Sequence, residues 1–303
     1  MGINSFESVS AASALPSAGV AGGTAWTAWL ENGIRALADE VVIDGGHTII
    51  AKIGGGGRPL VFLAHTDARG FVVTAIEKSG AIRFMPTGYL EEKGLVGTRV
   101  RLESGLKGVI TAGFESGAGA KPAAGGGNAF GNLFIDVGAK NAEEAAASVR
   151  AGDRVVRDAA PFDGAGSGGC VTGAVLAFDA NLVGARILLE TMSLIKAEGA
   201  PENPLVFLFR PAGNEPFTGI SAYEGLDAEA ALAVGAYHIG GADGTEGPDD
   251  GISIGAGPVA AAKGGLYFSP AVYGAVVDAA ARRGIALQHS VTAYTLAEAD
   301  ELM

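Results

Sequence analysis

The sequence predicts an α/β fold, a sheet flanked by helices with a small all-β unit inserted into it, and three features carry that expectation. Two short apolar runs, Leu60–Ala64 behind Pro59 and Leu205–Phe209 behind Pro204, read as strands buried on both faces, as in a parallel sheet. A long amphipathic stretch, Leu182–Ala197, precedes the second run and supplies the helix that a parallel crossover requires. From Gly70 to about Val156 the texture changes to short alternating strands at close spacing, the signature of a small barrel or sandwich.

Taken in order, Thr24–Leu37 places Trp26, Trp29, Leu30, Ile34 and Leu37 three and four residues apart, which predicts a helix with one buried face. Val41–Ile43 and Thr48–Ile53 read as strands around an Asp44-Gly45-Gly46 turn. After Leu60–Ala64 come the short strands Phe71–Glu77, Ala81–Met85, Arg99–Leu102, Lys107–Thr111, Phe134–Val137 and Arg154–Val156. A short helix, Asn141–Val149, lies among them with Glu143 and Glu144 in its first turn, where the helix dipole favours acids. The α/β texture then resumes with a strand at Ala174–Phe178 and the Leu182–Ala197 helix, whose apolar stripe is Val183, Ile187, Leu188, Leu194 and Ile195. Pro201 and Pro204 end that helix, and Leu205–Phe209 follows. Gly219–Tyr223 and Asp227–Ala230 read as helical, Ala231–Ala236 as a strand, Ala271–Arg283 as a last helix, and Ile285–Gln288 as the start of another strand. The expected division is residues 1–69 for the first part of an α/β domain, 70–165 for the inserted β domain, and 166–303 for the second part of the α/β domain.

Composition narrows the function classes. The chain has 303 residues, 48% hydrophobic and 18% charged, enough to bury a large core. Its formal net charge of −12 argues against nucleic acid and against anionic membrane surfaces, both of which call for basic patches. The single cysteine, Cys170, excludes an intrachain disulfide and a multi-thiolate zinc site, so a metal here would be held by His, Asp and Glu. No apolar run is long enough to span a bilayer, and Met1–Gly23 lacks the basic and apolar regions of a signal peptide, so a cytoplasmic location is expected.

Candidate chemistry gathers after the buried strands. His65 and Asp67 follow the first apolar run, Asp179 follows Ala174–Phe178, and Asn214 and Glu215 follow the second run. Groups delivered from several strand ends can converge on one cleft at the carboxyl edge of an α/β sheet. An aspartate that accepts a hydrogen bond from one imidazole nitrogen aims the other at a metal. Two metals about 3.5–4 Å apart need a bridging carboxylate, further N/O ligands and a nearby Glu to take the proton of water. The plainer alternative is that His65 ends a strand and Asp67 starts a turn. His238 and His289 are further imidazoles, and Asp243, Glu246, Asp249 and Asp250 form an acidic loop that solvation alone accounts for.

The segment Leu63-Ala64-His65-Thr66-Asp67-Ala68-Arg69-Gly70-Phe71 is similar to the AHMDEIGF motif of the cocatalytic-metal aminopeptidases of the tetrahedral type. That family includes glutamyl and deblocking aminopeptidases, once labelled endoglucanases. The resemblance continues through Leu95-Val96-Gly97-Thr98-Arg99-Val100, Asn132–Ala139, Arg150-Ala151-Gly152-Asp153 and Gly257-Pro258-Val259. It includes Ala177-Phe178-Asp179, like the family's AFDNR. It implies a zinc-peptidase-like mixed sheet flanked by helices with an inserted small β-barrel domain, two zinc or cobalt ions per chain, a peptide substrate and a homo-oligomer. By the same resemblance His65 matches a metal ligand, Asp67 the residue that orients it, and Asp179 the carboxylate that bridges both metals.

The chain departs from the family at several positions. Where the family has a Glu-Glu pair, general base then ligand, an ungapped match puts Gly213 and Asn214, and a one-residue slip puts Asn214 and Glu215. Glu215 is therefore the remaining candidate for a catalytic carboxylate, and at least one acid is absent. Ala68 replaces the motif's glutamate, Gly235 stands where a ligand aspartate is expected, and Ala180-Asn181-Leu182 offers no counterpart to the arginine after the bridging aspartate. The family's last histidine ligand follows a strand like Ala286-Leu287-Gln288, and its segment has no match before Met303. Two readings follow: an aminopeptidase homologue with impaired activity, or a non-catalytic paralogue that binds peptides or self-assembles.

Overall fold

The computed structural model describes residues 24–44, 48–66, 70–87, 94–113, 129–158, 181–211, 226–235, 252–253, 256–263 and 269–292. Helix α1, Thr24–Leu37, spans the residues its spacing predicts and buries Leu30 and Ile34 completely. Strands β1 (Glu40–Ile43), β2 (Ile49–Ile53), β3 (Leu60–His65), β10 (Leu205–Arg210) and β11 (Ala230–Ala233) form one mixed sheet in the order β1-β2-β10-β3-β11. β1 and β2 pair antiparallel, as do β2 and β10, whereas β10 and β11 both run parallel to β3.

Strand alternation explains the two faces of this sheet. Ala64, Leu205, Phe207 and Phe209 join Ile49, Ala51 and Ile53 on the face covered by α1 and by helix α3 (Asn181–Glu198). Phe62 stacks on Phe207 there, with ring centroids 5.1 Å apart. Val61, Leu63, Val206 and Leu208 form a smaller cluster on the opposite face with Leu226 and Ala228. All six residues of β10 are buried, as expected for the strand at the centre of a five-stranded sheet.

Helix α3 buries part of the stripe its sequence suggests, Leu188 in the core with Ile195 packed against it, but the stripe is rotated from the expected one. Ala185, Leu188, Leu189 and Met192 face the core, while Ile187 and Leu194 are 44% and 63% exposed. The helix is set by close approach at one small residue: a Cβ on Gly184 would lie 2.0 Å from the carbonyl oxygen of Val234, just past the end of β11. Around Asp227–Ala230 no helix forms. Instead Arg58 donates to Asp227 at 3.0 Å, to Glu229 at 2.7 Å and to the Ala228 carbonyl at 2.8 Å, holding the segment extended as it enters β11. The strand expected at Ala174–Phe178 lies outside the described residues, as do Trp26's side chain and the Gly219–Tyr223 segment.

The alternating strands close into a six-stranded barrel. β4 (Gly70–Ile76), β5 (Ile82–Thr87), β8 (Leu133–Asp136), β7 (Lys107–Ala112), β6 (Arg99–Leu102) and β9 (Arg154–Arg157) follow one another around it, and β9 pairs back with β4. Its interior holds Phe71, Phe84, Val100, Leu102, Ile110 and Ile135 among others. Helix α2, Ala142–Ala146, is shorter than expected; its cap, Asn141, accepts from the Glu144 amide at 2.9 Å. Strand β12 (Val259–Lys263), three-fifths alanine and so poor in β-forming residues, gave no strand signal and pairs parallel with β13 (Gln288–Thr292). Helix α4, Pro270–Arg283, has Ser269 as N-cap, Pro270 at its first position and Gly284 in the left-handed conformation at its end.

Two glycines inside helices have opposite expected responses to alanine. Gly184→Ala forces a Cβ into the Val234 carbonyl and destabilises by about 1–3 kcal/mol. Gly274→Ala, in α4 with nothing within 4 Å of the added carbon, stabilises by up to about 1 kcal/mol. Urea unfolding followed by circular dichroism reads both.

Candidate functional site

The carboxyl edge of the parallel sheet brings together one imidazole and one guanidinium. β3 and β10 repeat the same four apolar residues, Leu-Val-Phe-Leu, then diverge to Ala64-His65 and Phe209-Arg210. They pair rung for rung, Leu205 with Leu60 through Arg210 with His65, so the two polar residues fall side by side. One further hydrogen bond, from the Thr66 amide to the Arg210 carbonyl at 2.8 Å, extends the ladder. Pro211 then has no N–H to give and holds Arg210 extended, so strand pairing stops at this edge.

Residues in register on neighbouring parallel strands present their side chains to the same face. His65 and Arg210 share the parity of Leu63 and Leu208, on the face turned away from α1 and α3. His65 is 3% exposed and Arg210 is 0% exposed, the largest side chain among those fully buried. A guanidinium keeps its charge under all ordinary conditions and presents its N–H groups as a planar fork suited to carboxylates. Two unit positive charges one strand spacing apart, about 4.8 Å, repel by about 3.5 kcal/mol at an effective dielectric of about 20, and a dication doubles that.

Of the residues singled out from the sequence, the structure places His65 at the expected strand end. Asp67, Asp179, Asn214 and Glu215 lie outside the described residues, as do His238 and the acidic loop after it. His289 is described and sits elsewhere, exposed on β13, with its Nδ1 2.5 Å from the Tyr273 hydroxyl. Among the described residues no three His, Cys, Asp or Glu side chains cluster as a metal-binding group. The described residues supply one metal donor at this edge, the His65 imidazole, beside a guanidinium that keeps its charge.

Arg210 escaped the sequence reading, which ends this strand at Phe209 where the structure carries it one residue further. The signal was present: a charged residue directly after a run that duplicates the one before His65. A cleft of about 420 Å³ lies on the barrel between Glu103, Ser104, Ala147, Ser148, Arg150 and Asp153. Its acids already serve the backbone, Asp153 accepting from the Arg150 amide at 2.7 Å and Glu103 from the Arg154 amide at 3.4 Å.

The M42 glutamyl aminopeptidase family model matches residues 46–303, most of the chain and all of the strand-end edge. The chain belongs to the M42 glutamyl aminopeptidase family. A putative aminopeptidase of Acetivibrio thermocellus is 30% identical over 120 residues, 40% of this chain and 34% of that protein. The lysyl aminopeptidase of Pyrococcus furiosus is 30% identical over 118 residues, 37% of this chain and 33% of that protein. These alignments thus span about a third of the length of the curated relatives. Among solved structures, an aminopeptidase of Desulfurococcus kamchatkensis superposes with a TM-score of 0.77 at 20% identity, covering 98% of this chain and 82% of that one. The Pyrococcus horikoshii TET1 peptidase, described as assembling into a tetrahedron or a large octahedral shell, gives 0.70 at 22% identity over 98% of this chain and 86% of that one. At these identities the likeness shows the fold: an M42 mixed sheet with an inserted barrel. No helix among the described residues of this M42 chain is long and apolar enough to cross a membrane.

His65→Ala is expected to destabilise this M42 chain by about 1–3 kcal/mol, the cost of a buried polar side chain removed with its contacts. It is also expected to abolish any rise in Tm on adding zinc, while His289→Ala leaves that rise intact. Differential scanning calorimetry with and without zinc separates the two variants.

Proposed function

We propose that this M42 chain engages the amino-terminal end of peptides at the sheet edge around His65 and that its aminopeptidase turnover is impaired. The observation that carries the reading is the burial of His65 at the carboxyl end of β3, in the parallel β3–β10 pair at the heart of the sheet. Membership of an aminopeptidase family supports the substrate class, and the strand-end position is where open α/β sheets hold ligands. Asp67, Asp179 and Glu215 are the acids we assign to the same edge, Asp67 to orient the imidazole, Asp179 to hold a zinc or cobalt ion and Glu215 to act on water.

Impairment rests on the residues that follow β10. Gly213 or Asn214 stands where the family places its general base, and neither side chain takes a proton from water at neutral pH. A positioned general base is worth about 10²–10⁴ in rate, which sets the size of the deficit. A non-catalytic, self-assembling role is the second reading, favoured by the complete barrel and by the shell-forming peptidases that share this fold. In both readings the chain forms homo-oligomers.

The test uses the full chain loaded with zinc or cobalt. Hydrolysis of leucyl, lysyl and glutamyl anilides is expected at least about 10²-fold below that of an M42 enzyme with the intact Glu-Glu pair, measured side by side. Short peptides with a free amino terminus are expected to bind in calorimetric titrations, and their N-acetylated forms are not. Full turnover contradicts impairment, and equal binding or no binding of both peptide forms contradicts recognition of the amino terminus.

A further inference from the structure

We propose that the outer edge of β3 is a concealed interface for a second copy of this chain, covered by β11 and latched by Arg58. The segment it takes is the Pro-Leu-Val-Phe-Leu run of a copy that has not finished folding.

The chain carries Pro-Leu-Val-Phe-Leu twice, at Pro59–Leu63 and Pro204–Leu208. The two runs pair with each other in parallel, Leu60 with Leu205, Val61 with Val206, Phe62 with Phe207 and Leu63 with Leu208. The Phe62 and Phe207 rings stack with their planes 17° from parallel. Like side chains stacked in register on parallel strands are also how separate chains of one sequence associate in cross-β assemblies. The run therefore fits a duplicate of itself. One edge of β3 already holds that duplicate, β10, and the other edge holds β11.

β11 is a poor match for the edge it covers. It sets Ala230, Ala231, Leu232 and Ala233 against Leu60, Val61, Phe62 and Leu63, and alanine is a weak strand former. A third Pro-Leu-Val-Phe-Leu run in its place puts a phenylalanine beside Phe62 where Leu232 stands, which continues the ring ladder. β11 has four residues, none of them buried, and among the described residues it is the last strand of its sheet.

The cover is held at its entry by the residue directly before the first run. Arg58 pairs with Asp227 at 3.0 Å and with Glu229 at 2.7 Å, and it donates to the Ala228 carbonyl at 2.8 Å. These side chains are at least half exposed, so each ion pair contributes little and salt screens it. The far end of the cover stays tethered, with the Val234 amide donating to the Leu63 carbonyl at 2.8 Å. Opening therefore begins at the Arg58 end, where an incoming run starts to pair.

The experiment uses the full chain and a fluorescent peptide of residues 203–208 with a short lysine tail for solubility. The peptide is acetylated at its amino terminus so that the His65 edge does not take it, and a scrambled peptide of the same composition is the control. Fluorescence anisotropy reads capture by the native chain, by Arg58→Gln and by Arg35→Gln, which removes an exposed ion pair with Glu31 on α1. Arg58→Gln is expected to capture the matched peptide about 3–10-fold more tightly than the native chain, because loss of two exposed ion pairs raises the open fraction by that factor. Arg35→Gln is expected to equal the native chain, and the scrambled peptide to be left free by all three. Equal capture of both peptides overturns the proposal, as does a gain in Arg35→Gln as large as that in Arg58→Gln. No gain in Arg58→Gln overturns it too, an absence of capture by every form included. Should Arg58→Gln fail to fold, Glu229→Gln, which removes one of the two ion pairs, decides: a gain of about 2–5-fold for the matched peptide supports the proposal, and none overturns it.

Discussion

The in-register parallel pairing of β3 and β10 is the constraint on which the rest depends. Both strands open with Leu-Val-Phe-Leu, so each rung from Leu60 and Leu205 to Leu63 and Leu208 places like beside like. A slip of one residue would turn every side chain of one strand to the wrong face, moving Phe207 and Phe209 out of the helix-covered core. Because that slip is forbidden by the packing, the residue after each run has no freedom either. His65 and Arg210 are adjacent because the apolar residues behind them are matched.

The energetic scale agrees with that order of cause. The five apolar residues of β10 are all buried, each contributing about 1.5–3 kcal/mol for the larger side chains. Against them stands one arginine whose charge, left uncompensated, would cost several kcal/mol. The apolar run therefore fixes the strand, and the guanidinium is carried to the edge with it. On the helix side, the close approach of α3 at Gly184 and the packing of Leu188, Leu189 and Met192 lock the same sheet from above. Arg58, clamping Asp227, Ala228 and Glu229, positions β11 on the far side of β3.

Much of this was legible in the residues themselves. The apolar runs, the α1 spacing and the change to short alternating strands announced a parallel core with an inserted β unit, and the structure resolves barrel or sandwich in favour of a closed barrel. What was not legible has physical reasons. The α3 stripe shifted because glycine and alanine, invisible to a count of large apolar residues, let the helix approach on the Gly184–Ala185 side. The Asp227–Ala230 segment carries helix-compatible residues, yet a distant arginine, Arg58, holds it extended, and no local pattern reports a partner so far away in sequence. β12 is a strand because β13 lies beside it, not because Val259–Lys263 favours one. At the site, an imidazole after an apolar run is a metal-donor signal, which makes His65 legible, whereas Arg210, in the same place after a near-identical run, has no metal-donor atom and shows its importance only through its burial.

The central claim is that the edge where β3 ends at the buried His65 receives the amino-terminal end of a peptide. Diffraction from crystals soaked with a short peptide tests it most directly. The account requires peptide density at the carboxyl end of β3 with its amino group beside the His65 imidazole. Peptide density elsewhere, or an N-acetylated peptide seated in the same place, would contradict it.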